Sequence, residues 1–128
     1  LVRNSDIICT TTPSTTPVLP DDKELLRGKC IIAIGSYMPE MREIPDAVLD
    51  LVDNVYIELP YACEESGDLS QPLASGKLTK DRIKLMHEYL VSGEKEIKEG
   101  QTTYFKSVGM GLFDVCIAQK LYEVAKEK

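Results

Sequence analysis

The chain has 128 residues, room for one domain of about 100–200 residues and not for two. Its 15 Lys+Arg against 21 Asp+Glu give a formal net charge of −6, which argues against broad binding to nucleic acid or to an anionic membrane surface, since both need a positive footprint. Hydrophobic residues are 43% and charged residues 28%, the balance of a folded globular chain and not of a disordered one.

Asp6-Ile7-Ile8-Cys9 is short and β-branched and predicts a strand. It empties into the Thr/Ser/Pro loop 10–16, and the prolines that follow keep their predecessors extended. Asp21 or Asp22 is a candidate cap for a short helix within 19–26, stopped by Arg27-Gly28-Lys29. Cys30-Ile31-Ile32-Ala33-Ile34 is continuously apolar, as in a strand covered on both faces, and runs into Gly35-Ser36-Tyr37-Met38-Pro39. An amphipathic helix is predicted over 44–52, with Pro45 tolerated at its start, and a third strand over 54–59. This alternation is the βαβ rhythm of a mostly parallel sheet.

Beyond it, 61–65 reads as a short helix, and 69–78, with Pro72 and Gly76, as loop. Thr79 can cap a helix over 80–90, with Ile83, Leu85, Met86 and Leu90 on its apolar side. The stretch 92–100 reads as a charged surface segment, Thr102-Thr103-Tyr104-Phe105 as a fourth strand, and 111–128 as an amphipathic helix. On that helix Leu112, Val115, Ala118, Leu121, Tyr122 and Ala125 recur at three- and four-residue steps.

The expected fold is α/β: a partial Rossmann-type, mostly parallel sheet with flanking helices in three α/β/α layers and a long C-terminal helix. One domain is expected over 1–128, with strand/helix alternation over 1–109 and the closing helix over 110–128. No G-x-G-x-x-G occurs, and Gly109-Met110-Gly111 lacks the third glycine in phase, so the chain reads as the later portion of a dinucleotide-binding domain. Its start, without Met or a signal-like charged and apolar region, reads as the interior of a longer chain. No apolar run approaches the ~18 residues of a membrane span. Cys9, Cys30, Cys63 and Cys116 contain no CxxC pair and read as buried free thiols in a reducing, cytoplasmic compartment.

In a parallel sheet the carboxyl ends of the strands face one crevice, so the loops 10–16, 35–42 and 106–109 are expected to converge. The alternative is that strand-ending loops need turn residues in any case. Thr11 and Thr12 offer hydroxyls and amides to a ribose or nicotinamide edge, or form a surface threonine run. Gly35 permits close backbone approach, or makes a plain turn. Ser107, Val108 and Gly109 stand at a strand end before a helix whose free amides attract anions. Lys106 is either a cation for a carboxylate or phosphate or a solvated lysine, and Arg42 and Glu43 either pair or point outward. Glu64, Glu65 and Asp68 form an acidic cluster that reads as a metal or acid/base site or as solvated surface; lacking a His or Cys partner, it is assigned to the surface. His87 has no second His at ligand spacing, so no metal site is expected. No nucleophile elbow, Walker or zincin sequence is present.

Asp6-Ile7-Ile8-Cys9-Thr10-Thr11-Thr12-Pro13-Ser14, the stretch 33–44 (Ala-Ile-Gly-Ser-Tyr-Met-Pro-Glu-Met-Arg-Glu-Ile) and Phe105-Lys106-Ser107-Val108-Gly109 resemble the ornithine cyclodeaminase/mu-crystallin family. Glu64-Glu65-Ser66-Gly67-Asp68-Leu69 and the closing helix do so too, in the family's order. The resemblance implies part of an NAD(P)-binding lobe, with substrate binding and a homodimer interface in a second lobe absent from these residues. It places Thr12 near the cofactor, Ser107 near the nicotinamide and Val108 beside cofactor and substrate. Thr11, Gly35 and Ser36 complete the expected cofactor-binding set, for NAD or NADP. Tyr37 stands where the cyclodeaminases have an acid/base aspartate, and Met41 where they have a cofactor-side lysine. A tyrosine hydroxyl with a pKa of about 10 is no ionised partner for an ammonium at neutral pH. Tyr37 remains a candidate catalytic residue through a hydrogen bond or pocket lining, with packing as the alternative. The resemblance therefore implies a parent oxidoreductase moving hydride between NAD(P)H and a small imine or 2-amino acid. Ornithine cyclodeaminase activity and non-catalytic, mu-crystallin-like ligand binding are the alternatives. The 128 residues alone are expected to be inactive.

Overall fold

The computed structural model describes residues 1–93 and 97–127; residues 94–96 of the predicted charged segment and Lys128 of the predicted helix lie outside them. Five strands form one wholly parallel sheet: β1 (Ile7–Thr10), β2 (Cys30–Ala33), β3 (Val55–Ile57), β4 (Ile83–Leu85) and β5 (Thr103–Lys106). Their spatial order is β1-β2-β5-β3-β4, so the strand formed last in the chain lies at the centre.

Register and burial follow from the two-residue period of a strand. Ile8, Ile31, Tyr104 and Val55 form one row, and Thr10, Ala33, Lys106 and Ile57 the next; all eight are buried on the same face. Helices α1 (Lys23–Leu26), α2 (Asp46–Leu51), α3 (Ala62–Glu65) and α4 (Gly67–Ser75) cover that face. Leu26, Val48, Ala62 and Leu69 from these helices join the strand residues in one apolar core. Burying a side chain of this kind stabilises by about 1.5–3 kcal/mol before the cost of chain ordering is counted. The opposite face carries Cys9, Ile32, Phe105 and Tyr56. There α5 (Met86–Ser92) packs Tyr89 edge-on to Tyr56, with ring centroids 5.2 Å apart, which completes the α/β/α layering. Helix α6 (Gly111–Lys126) buries no residue, and Leu112, Val115, Leu121 and Tyr122 are all exposed. Among the described residues no helix is long and apolar enough to cross a membrane.

Local chemistry explains the helix ends. The Asp22 carboxylate accepts from the Glu24 and Leu25 amides at 3.0 and 3.2 Å and caps α1. Asp21, the other candidate cap, accepts from the Ala47 amide at 2.8 Å and so serves the first turn of α2. Arg82 closes the far end of α2: its guanidinium donates to the Leu49 and Val52 carbonyls at 2.6 and 2.7 Å and to the Asp53 carbonyl at 3.1 Å. Substituting Arg82→Met is expected to lower stability by about 2 kcal/mol, the scale of a hydrogen bond to a charged group. Urea unfolding of the full-length protein measures it.

Four sequence expectations are corrected. The segment 69–78 is mostly helical, with a buried Pro72 inside α4; Pro72 forgoes one backbone bond, and burial of Leu69 and Leu78 outweighs the loss. The helix expected over 80–90 divides into a 3₁₀ turn (Lys80–Arg82), β4 and α5, because β-branched Ile83 pairs with Val55 and a three-residue strand leaves no clear period. Cys30–Ala33 is closed on one face and only partly covered on the other. All four cysteines are free, yet Cys9 and Cys116 are exposed and Cys30 and Cys63 half-buried, since Cys9 points to the less covered face and Cys116 lies on α6.

Candidate functional site

Because β1, β2 and β5 are neighbours and parallel, Thr10, Ala33 and Lys106 end side by side, and the loops that follow leave from one edge. The Ile34 amide donates to the Thr10 carbonyl and the Ser107 amide to the Ala33 carbonyl, which extends this alignment one residue past the strands. The convergence predicted for loops 10–16, 35–42 and 106–109 is therefore present.

A buried carboxylate joins the first two loops. Glu43 accepts from the Thr12 amide (2.5 Å) and hydroxyl (2.9 Å) on Oε1, and from the Thr10 hydroxyl (2.9 Å) and Gly35 amide (2.8 Å) on Oε2. It neither points outward nor pairs with Arg42, whose guanidinium instead contacts the Asp46 carboxylate. Gly35 is required by this closeness: a Cβ there stands 2.2 Å from both the Thr12 amide nitrogen and carbonyl oxygen. Substituting Gly35→Ala is expected to destabilise by about 1–3 kcal/mol or more and to separate the two loops. Thermal unfolding and dinucleotide affinity of the full-length protein test both effects. Gly67 is constrained in the same way, 2.1 Å from the Met41 carbonyl by its built Cβ.

A second layer supports the first. Asp68 Oδ1 accepts from the Glu43 and Ile44 amides at 2.7 and 2.9 Å, fixing the backbone that carries the Glu43 carboxylate. Its other oxygen lies 3.8 Å from Lys106 Nζ, an ionic contact too long for a hydrogen bond, while Nζ donates to the Ala33 carbonyl at 3.3 Å. Burial pushes the Asp68 carboxyl up, against the opposing pull of the Ile44 and Glu43 amides. Burial also pushes the Lys106 ammonium down, against the carboxylates of Asp68, Glu43 and Glu58. Tyr104 is held well above its ordinary value by burial and by the nearby carboxylates of Asp68 and Glu43. Asp68 thus leaves the surface acidic cluster to which the sequence assigned it, and Lys106 is not solvated. Glu64 remains exposed.

At the third loop, Ser107 donates its hydroxyl hydrogen to Glu58 Oε1 at 2.9 Å and accepts from the Gly109 amide at 3.0 Å. The Val108 amide donates to the same Glu58 oxygen at 2.6 Å. Of the expected cofactor residues, Thr11 is exposed and Val108 half-buried, whereas Ser36 is fully buried. The Ser36 hydroxyl lies 2.7 Å from the Met41 carbonyl and 2.9 Å from the Ser66 hydroxyl, so it builds the loop from within. The Thr12 hydroxyl is likewise held by Glu43. Tyr37 is 49% exposed. Thr11 and Thr12 border a cavity of about 380 Å³ beside β1, with Ile7, Cys9 and Val18. Among the described residues no group of His, Cys, Asp and Glu has metal-binding geometry.

Comparison with known proteins places this arrangement. The chain is 38% identical to a Delta(1)-pyrroline-2-carboxylate reductase of Bacillus cereus, over 99% of its own length and 39% of that protein's. It is 33% identical to the ketimine reductase mu-crystallin of Rattus norvegicus, over 95% of the chain and 36% of the relative. The solved structure of a Thermococcus litoralis Delta(1)-pyrroline-2-carboxylate reductase with NADH and L-proline superposes with a TM-score of 0.79. That match has 25% identity and covers 98% of this chain and 39% of the other. The chain thus spans about two-fifths of the length of the relatives it matches. The family model for ornithine cyclodeaminase/mu-crystallin matches residues 1–128, and the chain belongs to that family.

Proposed function

We propose that residues 1–128 form the later portion of the nucleotide-binding lobe of an NAD(P)-dependent oxidoreductase. Its substrate class is a small imine or 2-amino acid, with cyclic imino acids of the pyrroline-2-carboxylate type foremost. The observation that carries this reading is the meeting of the Thr12, Gly35 and Ser107 loops at one edge of a parallel sheet, the edge where such folds hold ligands. Similarity to two reductases of imino acids supports the substrate class. A homodimer formed by parts of the protein outside this chain, in a cytoplasmic setting, completes the proposal.

The residues fit the nicotinamide end of a dinucleotide. Ser107 has spent its hydrogen on Glu58 and one lone pair on the Gly109 amide, which leaves an acceptor position for an amide donor. Val108 offers an apolar contact beside it. A bound reduced nicotinamide supplies the hydride. The chain's own part is to fix the three loops: Glu43 ties Thr12 to Gly35, and Glu58 ties Ser107 and Val108 to the end of β3. Tyr37 is accessible as a hydrogen-bond donor.

Titrating the full-length protein with NADH and NADPH tests the reading. Saturable binding of at least one, followed by its oxidation with pyrroline-2-carboxylate and no ammonia release from ornithine, is the expected result. Ornithine deamination, or binding of neither cofactor, overturns it. The 128 residues alone, with no G-x-G-x-x-G, are expected to give no saturable fluorescence change with either cofactor.

A further inference from the structure

Glu58 is a buried acid directly after β3, 5% exposed, and nothing in its local sequence marks it out. Both donors to its Oε1 come from the turn that follows β5, namely the Ser107 hydroxyl and the Val108 amide. Its Oε2 is buried with no hydrogen-bond donor among the described residues. A carboxylate oxygen left this way is costly and calls for an explanation. The local charge is also unbalanced. Glu43, Glu58 and Asp68 are buried at this end of the sheet with Lys106 as the buried cation, and Lys106 makes its ionic contact with Asp68. The nearby Arg42 is engaged by Asp46. Glu58 feels Lys106 only at longer range and has no ion-pair contact among the described residues.

We propose that Glu58 is a specificity-determining residue that biases the site toward the oxidised, positively charged nicotinamide over the neutral reduced one. The proposal rests on the reading of Ser107 and Val108 as the nicotinamide-facing turn. A negative charge tied directly to that turn stabilises a cationic ring and leaves a neutral ring almost unaffected. Positioning and charge are separable here, because a glutamine keeps an oxygen able to accept from Ser107 and Val108 while removing the charge.

The test is calorimetric measurement of dissociation constants for the oxidised and reduced dinucleotide, in the full-length protein and its Glu58→Gln and Glu58→Asp variants. In Glu58→Gln the ratio of oxidised to reduced constants is expected to rise roughly tenfold, the order of a single-charge effect in a partly buried site. In Glu58→Asp both constants weaken and the ratio stays near that of the parent. Should Glu58→Gln fail to fold, Glu58→Ala removes the tie together with the charge, so both constants are expected to weaken and the oxidised one more, which raises the same ratio. A ratio that moves less than about twofold while both forms still bind overturns the proposal and leaves Glu58 a purely structural tie. Failure of the parent protein to bind either dinucleotide instead overturns the oxidoreductase reading, so the two failures are told apart.

Discussion

Substituting Glu43→Ala is expected to remove about 3–5 kcal/mol of stability, a large share of what holds most single domains together. Two backbone amides, those of Thr12 and Gly35, lose their acceptor, and each buried amide left unpaired costs about 1–3 kcal/mol. The Thr10 and Thr12 hydroxyls lose the same partner but can rotate toward other acceptors. The conservative change Glu43→Gln separates charge from shape. Its amide nitrogen must face either the Gly35 or the Thr12 side of the site, so one amide stays unpaired and an intermediate loss of about 1–3 kcal/mol follows. Chemical denaturation of the full-length protein gives both numbers. Equal losses in the two variants would show that the hydrogen-bond accounting at this position is wrong.

The Asp68–Lys106 contact leads to a second result of similar size. Asp68→Asn leaves an ammonium buried at 0% exposure without its carboxylate, and Lys106→Met leaves Asp68 Oδ2 without its cation. Each single change is expected to cost about 3–5 kcal/mol. The double variant restores electrical balance and keeps an acceptor for the Glu43 and Ile44 amides, so it should lie within about 1 kcal/mol of the parent or above it. Titration provides an independent readout. The Asp68 carboxyl is raised from 3.8, so its contribution to stability is present below that pH and lost as pH rises through the folded value. The Lys106 ammonium is lowered from 10.5, so its contribution is present above that pH and lost as pH falls through the folded value. The parent should therefore lose ground to the double variant when pH climbs from 3.8 and again when it descends from 10.5. Parallel stability curves for the two proteins would rule this out.

The strands and the loops they empty into were legible because short apolar runs next to Thr, Ser, Gly and Pro have few other structural solutions. The strand at Ile83 was hidden by its length, and α4 by a proline that tertiary burial tolerates. At the site, Thr12, Gly35 and Ser107 were visible as loop residues, but the acids that hold them were not. Glu43 meets Thr12 across 31 residues and Asp68 meets the Glu43 amide across 25, separations that leave no periodic trace. For Lys106 the sequence does hold a signal. The two-residue alternation Thr103, Tyr104, Phe105, Lys106 places the lysine on the same face as the buried tyrosine. The same count places Thr10 with Ile8.

The strand order carries a consequence for synthesis. Since β5 lies between β2 and β3, the pairs β1-β2 and β3-β4 have no mutual hydrogen bonds until residue 106 is available. A ribosome must therefore deliver nearly all of this segment before the two half-sheets can be zipped into one, and until then the edges of β2 and β3 that receive β5 stay open to wrong pairings. Such late, non-local closure is slow and exposes the nascent chain to aggregation, so yield during expression should depend strongly on chaperone supply and temperature.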